Sequence, residues 1–395
     1  ELVVSYDVEQ YLMGAPAIGF SMAGNKVIYV STYHNDGKIL MFEISESSLQ
    51  MSEFYVGKKI KKGVAIHDIN GDGASDFVYG TDDNTLEIVI DEEVTIYEIG
   101  GKIQSAPIII EFNDNEHLIV AGSKDDNLYA FNPILGTEQF VYETGGDVGS
   151  PSVFEHSQYG TVIVFGSSDG SLYIIDTNGN DIPGWPQYLE GQVEGSPAIS
   201  DLNGDGLIDI VVGQSEGKLF AFNQNGEILT DFPITIEFPF TSSPVIDDLD
   251  GDGDLEILLG GSAGLYGYDF ENQNGSISNF WSMYRGNHQR TGFFESVSYL
   301  SSNLPEISNQ FNISSIYPNP FNPVTSISID VPNNQKFKLS IYDIKGALVE
   351  EIFNGSKPAG FYQFNWDASN YSSGIYLVNI FSNNYYKSHK IMLIK

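Results

Sequence analysis

The chain has 395 residues, room for two or three domains with a sizeable core, and carries 18 Lys+Arg against 53 Asp+Glu for a net charge of −35. That balance excludes nucleic acid as a partner, since such affinity needs a basic face that displaces phosphate counterions, and equally excludes docking on anionic lipid. There is no cysteine, which removes disulfides, thiolate metal sites and thiol nucleophiles, and no apolar run reaches the ~18 residues of a membrane helix.

The chain opens at Glu1 without Met or a signal peptide, which reads as a mature or trimmed product. Residues 1–13 read as the fourth strand of an earlier structural unit. They either close a ring by pairing with the last unit or are left over from units upstream. From Pro16 a pattern recurs about every 45 residues. Its anchor is a short strand after a small residue and usually Pro, with repeats starting near 16, 64, 107, 151, 197 and 244. In the copy at 64 the Pro is replaced by Val64. A second strand follows and ends in Gly or another small residue, as in Ile163-Val164-Phe165-Gly166 and Ile210-Val211-Val212-Gly213. After a tight turn comes a third strand, such as Lys218-Leu219-Phe220-Ala221-Phe222, and then a more polar fourth. Short β-branched and aromatic runs punctuated by Gly, Asn, Asp and Pro make the chain all-β. Four short strands per repeat predict a β-propeller of about six four-stranded blades, or seven if residues 1–13 belong to another.

Three copies carry an acidic insertion between their first and second strands. They read Asp68-Ile69-Asn70-Gly71-Asp72-Gly73-Ala74-Ser75-Asp76, Asp201-Leu202-Asn203-Gly204-Asp205-Gly206-Leu207-Ile208-Asp209, and Asp248-Leu249-Asp250-Gly251-Asp252-Gly253-Asp254-Leu255-Glu256. Side-chain oxygens at loop positions one, three, five and nine, with the carbonyl of the seventh residue (Ala74, Leu207, Asp254), would wrap a hard cation at about 2.3–2.6 Å. Calcium suits this set better than magnesium, which keeps its waters. An EF-hand is excluded, because its twelfth position should be Glu and is here Tyr79, Val212 or Leu259, followed by strand residues. The other copies have the short turns Ala23-Gly24-Asn25, Asn113-Asp114-Asn115 and Ser157-Gln158-Tyr159-Gly160 and are expected to hold no metal.

These loops, each followed by a strand, resemble the FG-GAP/VCBS repeats of integrin-type propellers. Third-strand phrases such as Asp126-Asn127-Leu128-Tyr129-Ala130-Phe131 are similar to quinoprotein-like propeller repeats. The run Trp281-Ser282-Met283-Tyr284-Arg285-Gly286-Asn287-His288-Gln289-Arg290-Thr291-Gly292 resembles a segment found where such propellers end. The resemblance covers residues 1–292 and implies up to three structural Ca²⁺ sites without specifying a function.

Catalytic constellations fare poorly. Gly-x-Ser-x-Gly occurs at Gly166–Gly170, Gly213–Gly217 and Gly260–Gly264, always at the same repeat position between two strands, which makes each a hairpin rather than a nucleophile elbow. The six His residues, at 34, 67, 117, 156, 288 and 389, show no metalloprotease spacing. His67 could face the first acidic loop, but a core or surface role is the plainer reading. The basic run Lys58, Lys59, Lys61 and Lys62 reads as a solvated connection between blades. Trp185 and Trp281 could stack on a sugar, but at these positions they are expected to pack between blades.

Residues 293–315, rich in Ser and Asn, read as a linker. The tail, residues 316–395, holds 7 Lys+Arg and 5 Asp+Glu, against 11 and 48 in residues 1–315, so the acid stops at a domain boundary. It contains Ile316-Tyr317-Pro318-Asn319-Pro320-Phe321-Asn322-Pro323, then Leu339–Gly346, Gly360–Asp367, Ser373–Val378 and Lys390–Lys395. Alternating strands suggest a small Ig-like β-sandwich. The order of motifs closely resembles the C-terminal sorting domain of type IX secretion, found in the Bacteroidetes group, and implies export with the secretion machinery as partner.

Together these features predict a secreted or surface-exposed protein, not an enzyme, whose calcium-stabilised propeller binds a surface glycan or protein. Two other readings stay open: the accessory region of a secreted hydrolase whose catalytic domain lies upstream, and a propeller polysaccharide lyase.

Overall fold

The structure, a computed structural model, describes the chain apart from residues 1–5, 46–47, 113–115, 237–238, 241, 271–274, 278–279, 297–311, 318–320, 332–334, 358–359 and 383–384. The described residues form strands and turns, and no helix among them is long and apolar enough to cross a membrane. The chain divides into two compact units, Glu1–Val297 and Ser298–Lys395.

The first unit is a succession of antiparallel sheets, each built from consecutive strands. Sheet one has β1 (Ala17–Phe20), β2 (Lys26–Ser31), β3 (Lys38–Ile44) and β4 (Leu49–Tyr55). Sheet two has β5 (Ala65–His67), β6 (Asp76–Gly80), β7 (Thr85–Ile90) and β8 (Glu93–Glu98). Sheet three has β9 (Ile108–Phe112), β10 (Glu116–Gly122), β11 (Asn127–Asn132) and β12 (Thr137–Glu143). Sheet four has β13 (Ser152–His156), β14 (Gly160–Gly166), β15 (Ser171–Asp176) and β16 (Gln187–Tyr188). Sheet five has β17 (Ala198–Ser200), β18 (Asp209–Gly213), β19 (Lys218–Asn223) and β20 (Ile234–Thr235). Sheet six has β21 (Val245–Asp247), β22 (Glu256–Gly261) and β23 (Gly264–Asp269) among the described residues.

Period-two alternation decides what each strand faces. In sheet two, Ile66, Phe77 and Val89 join the Ala17, Val27 and Tyr29 side chains of sheet one, while Ala65, Val78 and Ile88 join Ile109, Ile119 and Ala121 of sheet three. Sheets three, four and five share another core, and sheets five and six a further one. Neighbouring sheets therefore stack face to face in chain order. This is why every residue of β14 and β18 is buried, whereas β8 and β12 at the sheet margin are largely exposed. The Gly that ends the second strand in sheets two to six has a steric cause: a Cβ on Gly122 would lie 2.4 Å from the Gly149 carbonyl oxygen, and one on Gly166 2.2 Å from Val193 Cγ1. The small residue before the repeat's Pro joins adjacent sheets, since Ser150 Oγ accepts from the Ala106 N–H (2.9 Å) and Ser243 Oγ from the Ser196 N–H (2.8 Å).

The segment after sheet six runs back across the first strands of five of the six sheets. Ile199 of β17 donates its N–H to the Trp281 carbonyl (2.8 Å), and Ile246 of β21 to Ser282 (2.9 Å). Ile18 of β1 then donates to Gln289 (3.0 Å), Ile66 of β5 to Thr291 (2.7 Å), and Ile109 of β9 to Gly292 (2.7 Å). All five donors hold the same register position, two residues after the repeat's Pro or Val. The segment ends as β24 (Phe293–Glu295), which pairs in parallel with β9. Arg285 is 1% exposed, and its Nη1 donates to the Ala15 carbonyl (3.1 Å). The Tyr284 hydroxyl donates to the Lys62 carbonyl (3.0 Å).

Two expectations are corrected here. Residues 6–13 form no strand; Tyr11 accepts from the Tyr33 N–H (2.7 Å) beside sheet one, and Tyr6 packs edge-on to Phe42. The stretch expected to be a linker from 293 begins instead with β24, because Phe293 and Glu295 find a free strand edge at β9; its residues 297–311 lie outside the described residues, as does the turn Asn113–Asn115.

The second unit has one sheet of β25 (Asn312–Tyr317), β26 (Val324–Val331) and β29 (Gly360–Asp367). The other contains β27 (Gln335–Asp343), β28 (Leu348–Lys357), β30 (Gly374–Ser382) and β31 (Tyr385–Leu393). Alternate residues from both (Ile327, Ile329, Trp366; Leu339, Ile341, Val378, Ile380) form a single core. Pro318–Pro320 of the tail motif lies outside the described residues.

Candidate metal loops and the polar cavity

Each acidic loop sits between the first and second strands of its sheet, at β5–β6, β17–β18 and β21–β22. The loops share one hydrogen-bond plan. The ninth-position carboxylate folds back to accept the second-position N–H: Asp76 from Ile69 (2.9 Å), Asp209 from Leu202 (2.9 Å) and Glu256 from Leu249 (2.6 Å). The first-position carboxylate accepts from the middle of the loop: Asp68 from Gly71 and Gly73 (both 2.8 Å), Asp201 from Gly206 (3.0 Å) and Asp248 from Gly251 (2.7 Å). Position three accepts from position five, as in Asn70 from Asp72 (3.1 Å), Asn203 from Asp205 (2.9 Å) and Asp250 from Asp252 (3.2 Å). Position five accepts from position seven, as in Asp72 from Ala74, Asp205 from Leu207 (both 2.7 Å) and Asp252 from Asp254 (3.1 Å). Such Asx turns curl the backbone so that the remaining carboxylate oxygens converge. The turns need left-handed backbone at the glycines, with φ of 93° at Gly73 and 98° at Gly253.

The third loop, all of whose side-chain ligands are carboxylates, brings them together. There one oxygen each from Asp248, Asp250 and Glu256 lie within 4.8 Å of one another, as do those of Asp252, Asp254 and Glu256. The Asp254 side chain thus joins the cluster. In the second loop Asp209 is fully buried, and its Oδ1, like the Oδ1 of Asp201, has no hydrogen-bond partner. Burial pushes the Asp209 carboxyl up to about 7, against the pull of two backbone N–H donors, and that of Asp76 up to about 6. The first loop recruits a residue from outside the motif: Asp91, at the β7–β8 turn, accepts from Asn70 Nδ2 (3.0 Å). The neighbouring Asp72 raises the Asp91 carboxyl. No sequence pattern marks Asp91; only the hairpin brings it to the loop. Residues Tyr79, Val212 and Leu259 lie in strands and are buried, as the exclusion of an EF-hand requires.

His67 does not stand alone. It stacks on Phe293 (centroids 3.7 Å apart, rings 6° from parallel), and its Nε2 is 3.3 Å from Glu111 Oε2. Burial and His117 alongside lower it to about 4. The Gly-x-Ser-x-Gly tracts fall at the β14–β15, β18–β19 and β22–β23 hairpins. Trp185 is buried against Phe222, with its Nε1 donating to the Gln224 carbonyl (3.1 Å), and Trp281 is buried in the closing segment.

The basic run is not a solvated connection throughout. Lys58 pairs with Glu87 (2.6 Å), and Lys59 lies over the Tyr33 ring (5.4 Å). Lys61 and Lys62 line a cavity of about 330 Å³ together with residues that lead into the first strands of sheets three to six: Gln104, Gly149 and Ser150, Glu194 and Gly195, and Ser242 and Ser243. Lys124 also lines it, bound to Asp147 (2.7 Å), and Phe240 gives it an apolar wall. Burial lowers the Lys62 ammonium from its ordinary value.

Comparison with known proteins places two regions. Residues 315–395 match the secretion system C-terminal sorting domain, and residues 201–259 match the FG-GAP-like repeat. The sorting domain marks proteins exported by type IX secretion, so this chain is secreted or displayed at the cell surface and engages that machinery. No curated protein matches the chain. Among solved structures, the chain is similar to BBS1N in its complex with ARL6DN, at 14% identity over 66% of this chain and 94% of that one, with a TM-score of 0.42. It is also similar to BamB from Moraxella catarrhalis, at 15% identity over 68% of this chain and 86% of that one, with a TM-score of 0.41.

Proposed function

We propose that this exported chain is a non-catalytic binding module: a six-bladed β-propeller braced by calcium at three loops, followed by an Ig-like sorting domain. The propeller reading is supported by sheets that stack face to face in chain order and by the first strands of five of the six sheets, which bond one closing segment. Calcium is supported by the common oxygen-rich plan of the three loops and by the buried, unpartnered carboxylate oxygens of the second. Residues Asp68, Asn70, Asp72, Ala74 and Asp76 would hold the first ion, and Asp201, Asn203, Asp205, Leu207 and Asp209 the second. Asp248, Asp250, Asp252, Asp254 and Glu256 would hold the third. The ion's role is structural: it neutralises each carboxylate cluster and ties the loop to its strand.

The observation that carries a ligand is the cavity. The closing segment occupies the junction of the first strands, with Arg285 and Trp281 buried there, and leaves a concavity lined by residues from successive sheets. Its mixed donors and acceptors, Lys61, Lys62, Gln104, Lys124 and Glu194 with Ser242 and Ser243, beside the Phe240 ring, fit one sugar unit of a surface glycan. A glycan array on the calcium-loaded protein, followed by calorimetry on the best hit, tests this. Lys124→Ala combined with Gln104→Ala should weaken that hit at least about tenfold, the equivalent of 1.4 kcal/mol. Unchanged affinity in the double variant, or no glycan bound at all, would refute it.

A further inference from the structure

We infer that His67, Glu111 and His117 form a second kind of metal site, nitrogen-rich and distinct from the acidic loops, which takes a divalent transition ion of the zinc class. The three side chains come from two sheets. His67 closes β5, Glu111 lies on β9 and His117 on β10. His117 is the register partner of Glu111 across the β9–β10 ladder, and Glu295 is its partner across the β9–β24 ladder. Register partners share a face, so His117, Glu111 and Glu295 stand in a row on one side of sheet three. His67 reaches over from sheet two and is fixed there by its stack on Phe293.

The distances suit one ion. His67 Nε2 is 3.3 Å from Glu111 Oε2, His117 Nε2 is 3.9 Å from Glu111 Oε1, and one ligand atom from each of the three lies within 4.8 Å of the others. A tetrahedral zinc with ligands at about 2.0–2.2 Å places them roughly 3.3–3.6 Å apart, so small side-chain movements close the site. Both imidazoles bring Nε2 to the Glu111 carboxylate, one to each oxygen. Two imidazoles and one carboxylate favour zinc over calcium, which collects six to eight oxygens. Three ligands leave a fourth tetrahedral position for water, and Glu295, the register partner of Glu111, lies close enough to join burial in raising the Glu111 carboxyl. An ordinary His–Glu ion pair would use one imidazole; the convergence of two from different sheets, one held by an aromatic stack, is what an ion explains.

The test uses the full chain with Ca²⁺ saturating, so that the acidic loops cannot compete. Zn²⁺ titrated by calorimetry should bind with one equivalent and micromolar or tighter affinity, and Co²⁺ should give the intense visible bands of a tetrahedral nitrogen–oxygen site. His67→Gln and His117→Gln should each weaken Zn²⁺ binding by more than the ~10–100-fold typical of an outer-shell change, and Glu295→Gln by about tenfold. If His117→Gln fails to fold, X-ray absorption on the zinc-loaded wild type decides the matter by counting imidazole ligands, of which two are expected. Zn²⁺ binding unchanged in both His variants, an all-oxygen coordination shell, or no Zn²⁺ bound in the presence of Ca²⁺ would overturn the assignment.

Discussion

Removing calcium should make the stability of the first unit fall as pH rises, and Asp209 sets the size of the effect. In the ion-free fold its carboxyl is raised from 3.8 to about 7. A raised carboxyl means that the folded state holds its proton more tightly than the unfolded chain. Its contribution is therefore fully present below pH 4 and is lost as pH climbs towards 7. At 1.36 kcal/mol per tenfold change, the full span is at most about 4 kcal/mol, and partial solvent screening brings the part lost between pH 5 and pH 8 to about 2 kcal/mol. Asp76, raised to about 6, loses a little under half of its own smaller share over the same interval, the rest having gone by pH 5. For a unit of 297 residues, the combined loss lowers the melting temperature by roughly 4–8 °C.

Bound calcium would reverse the sign of the problem, because the ionised carboxylates would become its ligands. With affinities of about 0.1 mM, 10 mM Ca²⁺ adds about 2.7 kcal/mol per occupied site. Thermal melts at pH 5 and pH 8, in EGTA and in 10 mM Ca²⁺, measure all four corners. Asp209→Asn sharpens the test: in EGTA at pH 8 it should melt higher than wild type, and it should lose about one-third of the calcium increment. An EGTA melt that does not fall between pH 5 and pH 8, or an Asp209→Asn variant with the full calcium increment, would refute the reasoning.

Asp91→Ala should weaken calcium at the first loop alone, since Asp91 meets Asn70 and Asp72 there; calorimetry should show one of three sites weakened by about three- to tenfold with the others unchanged. A chain ended at residue 279 loses the acceptors for the N–H groups of Ile18, Ile66, Ile109, Ile199 and Ile246, each costing about 1–3 kcal/mol if left buried and unpaired. It should not melt cooperatively in calcium, whereas a chain ended at 297 should; equal transitions by calorimetry would exclude a closing role for residues 281–296.

What the sequence made legible was whatever repeats. Strand order within a sheet, the terminal Gly of the second strand in sheets two to six and the register of the three acidic loops all recur at a fixed interval, and each recurrence has a local cause. Gly122 and Gly166 meet the backbone or side chain of the segment entering the next sheet, and the loop carboxylates bond N–H groups within a few residues. Asp91, Glu111, His117 and Glu295 obey no such local rule. They are drawn together by hairpins and cross-strand register, and single positions in four different strands or turns leave no spacing to read. His67 was therefore weighed against Asp68, its sequence neighbour, when its nearer partners lie 44 and 50 residues away.

The closing segment is the sharper case. Residues 281–292 stand out as a phrase, yet their composition does not disclose their work, because the work is done by carbonyl oxygens that any residue would supply. The side chains decide something else. Trp281 and Arg285 occupy the space where the first strands meet, and Gly286 takes a φ of 86° that lets the backbone turn past the Trp281 ring, 2.9 Å from where a Cβ would stand. The carbonyls meet sheets five and six, then one, two and three, so eight residues, Ser282 to Gln289, carry the chain from the last sheet to the first. An edge strand from the far terminus is one way to join the last sheet to the first, and one of the two roles expected of residues 1–13, of which residues 6–13 form no strand. Here Tyr6 and Tyr11 lie beside sheet one, and sheets five and six are linked to sheets one, two and three by a segment whose removal takes the acceptor from five first-strand N–H groups at once.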